Sequence, residues 1–166
     1  RLLFTKAEDE YISFDGNFYK LDEAPLTPGS TQSPHIPILI GGNGEKRTLR
    51  TCAKFGDQFN LDFWHPGGVD VFKHKSKVVE EHCDSVGRDP SELKRSVCLP
   101  FRLFESENDF REAQGQPWYC WGTTTMIQDT LGEYIQAGAQ EIMLCAIPAK
   151  PSAWQRVEED VLSVFS

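Results

Sequence analysis

"PILIGGNGEKRTLRTCAKFGDQFN", residues 37–60, decides how the rest of the chain is read. An apolar run ending at Ile40 passes straight into Gly41-Gly42-Asn43-Gly44, and a helical pattern begins at Glu45. Leu49, Cys52 and Ala53 share one face at helical spacing, and Gly56 follows Phe55 as a stop. Gln58 to Phe63 then returns to a β-prone pattern. The stretch predicts strand, glycine turn, helix, strand.

Glycines at the C-terminal end of a strand permit positive φ and let a ligand approach bare backbone. The first amides of the following helix have no internal partners and can be accepted by a phosphate or another anion. Arg47 stands where a dinucleotide GxGxxG needs its last glycine, and the spacing to Lys46 is wrong for a Walker A loop. Lys46, Arg47 and Arg50 crowd the first two turns, where the helix dipole already places positive charge. That costs about a few tenths of a kcal/mol per residue unless an anion is near or the side chains reach water. Two readings stand here: an anion site at Gly42, Asn43 and Gly44, or a tight βα turn followed by a solvated basic face.

Working outward, the same alternation continues. Ile38 to Ile40 is the first strand, Glu45 to Phe55 the first helix and Gln58 to Phe63 the second strand. Val69 to Val86 reads as a long helix with Phe72, Val79, Cys83 and Val86 on its inner face. Asp89-Pro90-Ser91-Glu92 is a capping pattern. "RSVCLPFRLF" is a third strand that Pro100 should interrupt, at an edge, a bulge or an early end. Thr123 to Thr125 offer caps for a helix to Ala137, with Ile127, Leu131, Tyr134 and Ile135 as its stripe. "EIMLCAI" is a fourth strand, and Trp154, Val157, Val161 and Phe165 mark an amphipathic last helix.

Residues 38–166 therefore read as βαβαβαβα, an α/β class with four parallel strands and covering helices. Ahead of them, "YISFDGNFYKL" is a hairpin signal around Asp15-Gly16. Pro25, Pro28, Pro34 and Pro37 make the following stretch an extended crossing. Arg1 to Glu10 is expected to be the tail of a helix. The whole of 1–166 is taken as one partial domain, 1–37 being the hairpin and crossing.

The charge of −8 argues against nucleic acid or an anionic membrane as partner. The five cysteines are odd in number and scattered, without a CxxC, which suits buried free thiols in a reducing cytoplasm. His82-Cys83 is adjacent rather than spaced for chelation, and His35, His65 and His74 lack paired ligands, so no metal site is expected. Trp118, Tyr119 and Trp121 either line a substrate mouth or pack a loop onto the fold. Asp57 and His65 are more economically read as a capping or surface residue and a loop histidine than as catalytic groups.

These motifs resemble the C-terminal half of luciferase-like monooxygenases, especially the deazaflavin-dependent oxidoreductase branch. The features shared are the hairpin with Gly16 and Tyr19, the proline-rich crossing, "PILIGGNG", and the later strand at Gly56-Asp57-Gln58-Phe59-Asn60. "WGTTTMIQDTLGEYIQAGAQEIML" is similar to that family's tail. Gln58-Phe59 departs from the usual Gly-Trp, and Thr124-Thr125 from Pro-Glu. The resemblance implies the C-terminal half of a (β/α)8 TIM barrel and a flavin- or F420-dependent oxidoreductase or monooxygenase acting on a small molecule. It implies that the glycine turn, Gly41, Gly42, Asn43 and Gly44, holds the cofactor phosphate, with charge from Lys46 or Arg47 and with Asn60 as a further candidate. Coenzyme F420 is the expected cofactor and FMN the alternative. The alternative function is a phosphate-ligand binding or assembly module without catalysis of its own.

A full barrel of this type needs about 250 residues and eight strands. The resemblance places the catalytic groups in the other half, so no catalytic residue is assigned here. The Arg1 start suggests truncation, and the half barrel is expected to expose two strand edges and an apolar inner face. Self-association or pairing with a missing N-terminal half is the expected outcome.

Overall fold

The computed structural model describes residues 11–25, 29–62, 67–113, 119–146 and 151–165. The chain divides into two compact units, residues 1–38 and 39–166. The expected opening helix of residues 1–10, and Phe63, His65, Trp118 and Ile147, lie outside the described residues.

In the first unit, β1 (Tyr11–Asp15) and β2 (Lys20–Pro25) pair antiparallel, as the Asp15-Gly16 signal predicts. Gly16 N donates to Tyr19 O at 3.0 Å, so the turn spans four residues rather than two. Residues 29–38 form no strand or helix, in keeping with their prolines.

The second unit is a parallel sheet with helices between its strands. Its elements are β3 (Leu39–Gly41), a π-helical turn (Glu45–Leu49) running into α1 (Arg50–Phe55), β4 (Gln58–Leu61) and α2 (Gly68–Ser85). A 3-10 turn (Pro90–Glu92) leads to β5 (Lys94–Leu103), α3 (Glu107–Glu112), β6 (Cys120–Gly122), α4 (Thr124–Gln136), β7 (Glu141–Ala146) and α5 (Pro151–Arg156). A second π turn (Val157–Val161) and a 3-10 turn (Leu162–Val164) follow α5. The four anticipated strands run in the order β3-β4-β5-β7, all parallel. The short β6 adds a fifth on the upper part of β5. It lies where the aromatic run before α4 had been read as loop.

Pro100 does not interrupt β5, contrary to expectation. Lys94 N donates toward β4, to Asp57 O at 3.1 Å, and strand N–H directions repeat every second residue. The position without an N–H at Pro100 therefore faces the β4 side. There β4 has already ended opposite Val97, and β6 starts only opposite Phe101. On the other side β7 pairs straight past it, Pro100 opposite Cys145.

Side-chain alternation divides the sheet cleanly. Phe59, Leu61, Val97, Leu99 and Phe101 are buried toward the helix layer, together with Leu49, Cys52, Ala53, Phe72, Val79, Cys83, Ile127 and Leu131. Phe72 of α2 meets Tyr134 of α4 edge-on at 5.7 Å. Of the last amphipathic pattern, Val157 and Val161 are buried, whereas Trp154 and Phe165 are exposed. Ile135, read as part of the inner stripe of α4, is instead 47% exposed. It borders a groove of about 220 Å3 with Leu131, Ile142, Leu144, Leu162 and Phe165, beside β7.

The opposite sheet face is mixed, not the apolar face that the sequence predicts. It carries Gln58, Asn60, Lys94, Ser96, Cys98, Glu141, Met143 and Cys145, with Lys94 ion-paired to Glu141. Leu39 and Pro100 share this face with them and with Met143, so it is mixed rather than uniformly apolar. All five cysteines are free, with Cys52, Cys83 and Cys120 buried.

Candidate functional site

The glycine turn stands at the C-terminal end of β3, the end at which functional loops gather in parallel α/β sheets. Its strand pairs in register with β4, Gly41 opposite Asn60, and Asn60 is opposite Ser96 of β5. Gly42 N donates to Asn60 O at 3.0 Å, extending that ladder by one rung. Gly42 has φ +129°, a conformation that residues with a Cβ rarely adopt, and a Cβ there would lie 3.1 Å from Thr48 Cγ2. At Gly44 a Cβ would meet Thr48 Oγ1 at 3.0 Å. Gly42 thus turns the chain, and Gly44 lets it pass close to the Thr48 hydroxyl.

The helix begins with a π turn whose first rung runs from Leu49 N to Gly44 O at 3.1 Å. Among the described residues, the amides of Gly44, Glu45, Lys46 and Arg47 lie ahead of that rung. Gly44, the residue at the N-cap, makes no side-chain capping bond to them. Lys46 and Arg47 are exposed beside them. Glu45, the one acid in this turn, is drawn away onto α2, its Oε1 accepting from Lys75 Nζ at 2.6 Å and His74 Nε2 at 2.9 Å. The Lys75 hydrogen bond, then that of His74, holds the Glu45 carboxyl below its ordinary range. His82 Nε2 donates to the Glu45 carbonyl at 2.8 Å, satisfying an acceptor at the start of the π turn. With Glu45 neutralised, what remains around the amides is the positive charge of Lys46 and Arg47.

Asn60 sits one strand away and is buried. Its Nδ2 donates to Ser96 Oγ at 2.9 Å, and Ser96 Oγ donates to Phe59 O at 2.9 Å. A Cβ on Gly41 would lie 3.9 Å from Asn60 Oδ1, so its carbonyl end faces the turn. Asn60 therefore ties β3, β4 and β5 together beneath the glycines. Of the residues singled out in the sequence, Gly41 and Asn60 face each other on adjacent strands, Gly42, Asn43 and Gly44 form the turn after β3, and Lys46 and Arg47 lie in the π turn that follows.

Sequence reasoning missed the groups that hold this turn in place. Arg88, beyond α2, donates through Nη1 to Ala53 O (3.1 Å) and Gly56 O (2.7 Å), closing the end of α1. Thr48 and His82 were missed too, because neither has a motif of its own; only three-dimensional contact joins them to Gly44 and Glu45. Asp57 stands just before β4, at its N-terminal end, where its carbonyl accepts from Lys94 N.

A model of luciferase-like monooxygenases matches residues 1–161. The chain belongs to that family. Among solved structures, it is similar to a coenzyme F420-dependent tetrahydromethanopterin reductase from Methanopyrus kandleri, at 16% identity and a TM-score of 0.77. That alignment covers 98% of this chain and 60% of the reductase. An F420-dependent secondary alcohol dehydrogenase, solved with an F420-acetone adduct, gives 14% identity and a TM-score of 0.77 over 98% of this chain and 58% of that one. An uncharacterized protein of Mycobacterium tuberculosis is 38% identical over 61 residues, 37% of this chain and 18% of the relative. The chain thus has the α/β fold of one part of the luciferase-like (β/α)8 barrels and spans about 60% of the reductase's length.

Proposed function

We propose that this family member supplies the cofactor-phosphate half of a flavin- or F420-dependent oxidoreductase, with coenzyme F420 as cofactor and FMN as the alternative. The observation that carries the reading is the row of amides from Gly44 to Arg47 ahead of the first helical rung, with Glu45 tied away by Lys75. Two of the similar structures are F420-dependent enzymes by description, which supports the choice of cofactor. The turn fits a phosphoryl group: N–H donors ahead of the first helical rung, the Thr48 hydroxyl beside Gly44, and two exposed cations. Gly42 serves by conformation, since its own amide is already given to Asn60 O.

When bound, the cofactor supplies the hydride or oxygen chemistry of such enzymes. The chain's own residues hold and orient. Gly44, Glu45 and Lys46 donate from the backbone, Lys46 or Arg47 adds charge, and Asn60 fixes the height of the turn against β4. Catalytic residues are expected on a complementary βα segment, which would also cover the open edges of β3 and β7. A preceding N-terminal half is the occupant this reading favours, since the chain spans 60% of the similar reductase. The same coverage keeps a second reading alive, a binding module without turnover of its own. Titrating F420 and FMN against the purified chain tests both. Binding weakened by Gly42→Asp with no turnover supports the module, and turnover with a reduced cofactor supports the enzyme. Binding indifferent to Gly42→Asp contradicts both.

A further inference from the structure

The mixed face of the sheet carries a second cation far from the glycine turn. Alternation along β5 puts Arg102 on the same face as Lys94, Ser96 and Cys98, at the strand's C-terminal end. Six residue steps, about 20 Å along β5, separate it from Ser96, which lies two strands from Gly41 at the same level. The Arg102 guanidinium carbon lies 4.7 Å from the centre of the Phe104 ring and 5.6 Å from that of Trp121, its partner across β6. Tyr119 extends this platform, 4.9 Å from Trp121.

The donors of Arg102 set it apart. The other half-buried arginines use theirs: Arg88 on Ala53 O and Gly56 O, Arg95 on Glu80, and Arg156 on Glu105 and Asp160. Among the described residues, no carboxylate or carbonyl accepts from Arg102. The adjoining Trp121 Nε1 is covered and likewise has no acceptor among them. A guanidinium packed against aromatic rings can still present its N–H fork to a carboxylate or phosphate through two parallel hydrogen bonds. Its half-buried position weakens solvent screening, and the rings hold the side chain in place before any ligand arrives.

We propose that Arg102, braced on Phe104 and Trp121, is an oxyanion-recognition site for a carboxylate- or phosphate-bearing small molecule, separate from the glycine turn. This does not depend on the cofactor assignment. The test is an NMR titration of the chain with benzoate and, separately, with inorganic phosphate at constant ionic strength, following arginine Nε–H and tryptophan indole signals. Saturable shifts of the Arg102 and Trp121 signals are expected with one or both probes. Benzoate alone identifies a carboxylate ligand, phosphate alone a phosphate ligand, and both a general oxyanion site. Arg102→Gln should remove the saturable response, and Arg102→Lys, which keeps charge but not the fork, should weaken it by about tenfold or more. Gly42→Ala should leave it intact. Absence of saturable shifts at Arg102 in the unsubstituted chain overturns the proposal, as does a Trp121 response that persists unchanged in folded Arg102→Gln.

Discussion

At Gly42 a single dihedral angle decides where the helix starts. Gly42→Ala places a Cβ on a backbone at φ +129° and 3.1 Å from Thr48, so it is expected to cost about 1–3 kcal/mol in urea unfolding. Weaker phosphate binding should accompany the loss. Glu45 and Glu141 give the residue scale a pH signature. Lysine hydrogen bonds, from Lys75 and Lys94 respectively, lower both carboxyls from the usual 4.5. A carboxyl lowered on folding stabilises the fold above its unfolded value, and that contribution disappears as pH falls through the folded value. Thermal melts should therefore lose stability below about pH 4.5, and Glu45→Gln/Glu141→Gln should flatten that fall. An unaltered acid limb in the double variant would contradict the ion-pair account. The thiols divide by burial. Desolvation pushes Cys52 and Cys120 up to about 12 and raises Cys83 as well, whereas Cys145 is exposed. A thiol reagent at neutral pH should label Cys145 well before these three, which should react only on unfolding.

Between elements, two kinds of contact hold the sheet. The polar one is the link from Asn60 to Ser96 and on to the Phe59 carbonyl. Asn60→Ala strands these buried groups and should cost about 1–3 kcal/mol by chemical denaturation, with the glycine turn loosening at the same time. The apolar one is Phe72 against Tyr134, where Phe72→Ala should cost about 3–5 kcal/mol as α2 and α4 lose their shared contact. These elements were also the legible ones. The helical stripe of Phe72, Val79 and Cys83 and the run of Gln58 to Leu61 follow directly from periodicity. Pro100 was misread because a strand's tolerance of proline depends on which neighbour its N–H would face, and neighbours are set by the fold. The short β6 has too few residues to show alternation, and α3 is a single capped turn and a half within a polar stretch. The mixed character of the inner face was hidden for a different reason: Lys94 and Glu141 are distant in sequence and neutralise each other only across the β5–β7 pair. Likewise, the glycine motif was visible at residues 41–44, but the hand-over of Glu45 to Lys75 was not.

For the molecule as a whole, β3 and β7 each pair on one side only among the described residues, with an apolar groove beside β7. Unpaired strand edges next to exposed Ile135, Leu162 and Phe165 favour association. Light scattering of the isolated chain should show concentration-dependent self-association, and a clean monomer at every concentration would contradict this. Occupation of the turn by a phosphoryl group remains the claim on which the functional account rests. Its most direct measurement is a backbone-amide NMR titration with FMN and with riboflavin, which lacks the phosphate. The account predicts saturable shifts at Gly44, Glu45 and Lys46 with FMN and none at those amides with riboflavin; equal responses to both, or FMN shifts that leave these amides unmoved, would contradict it.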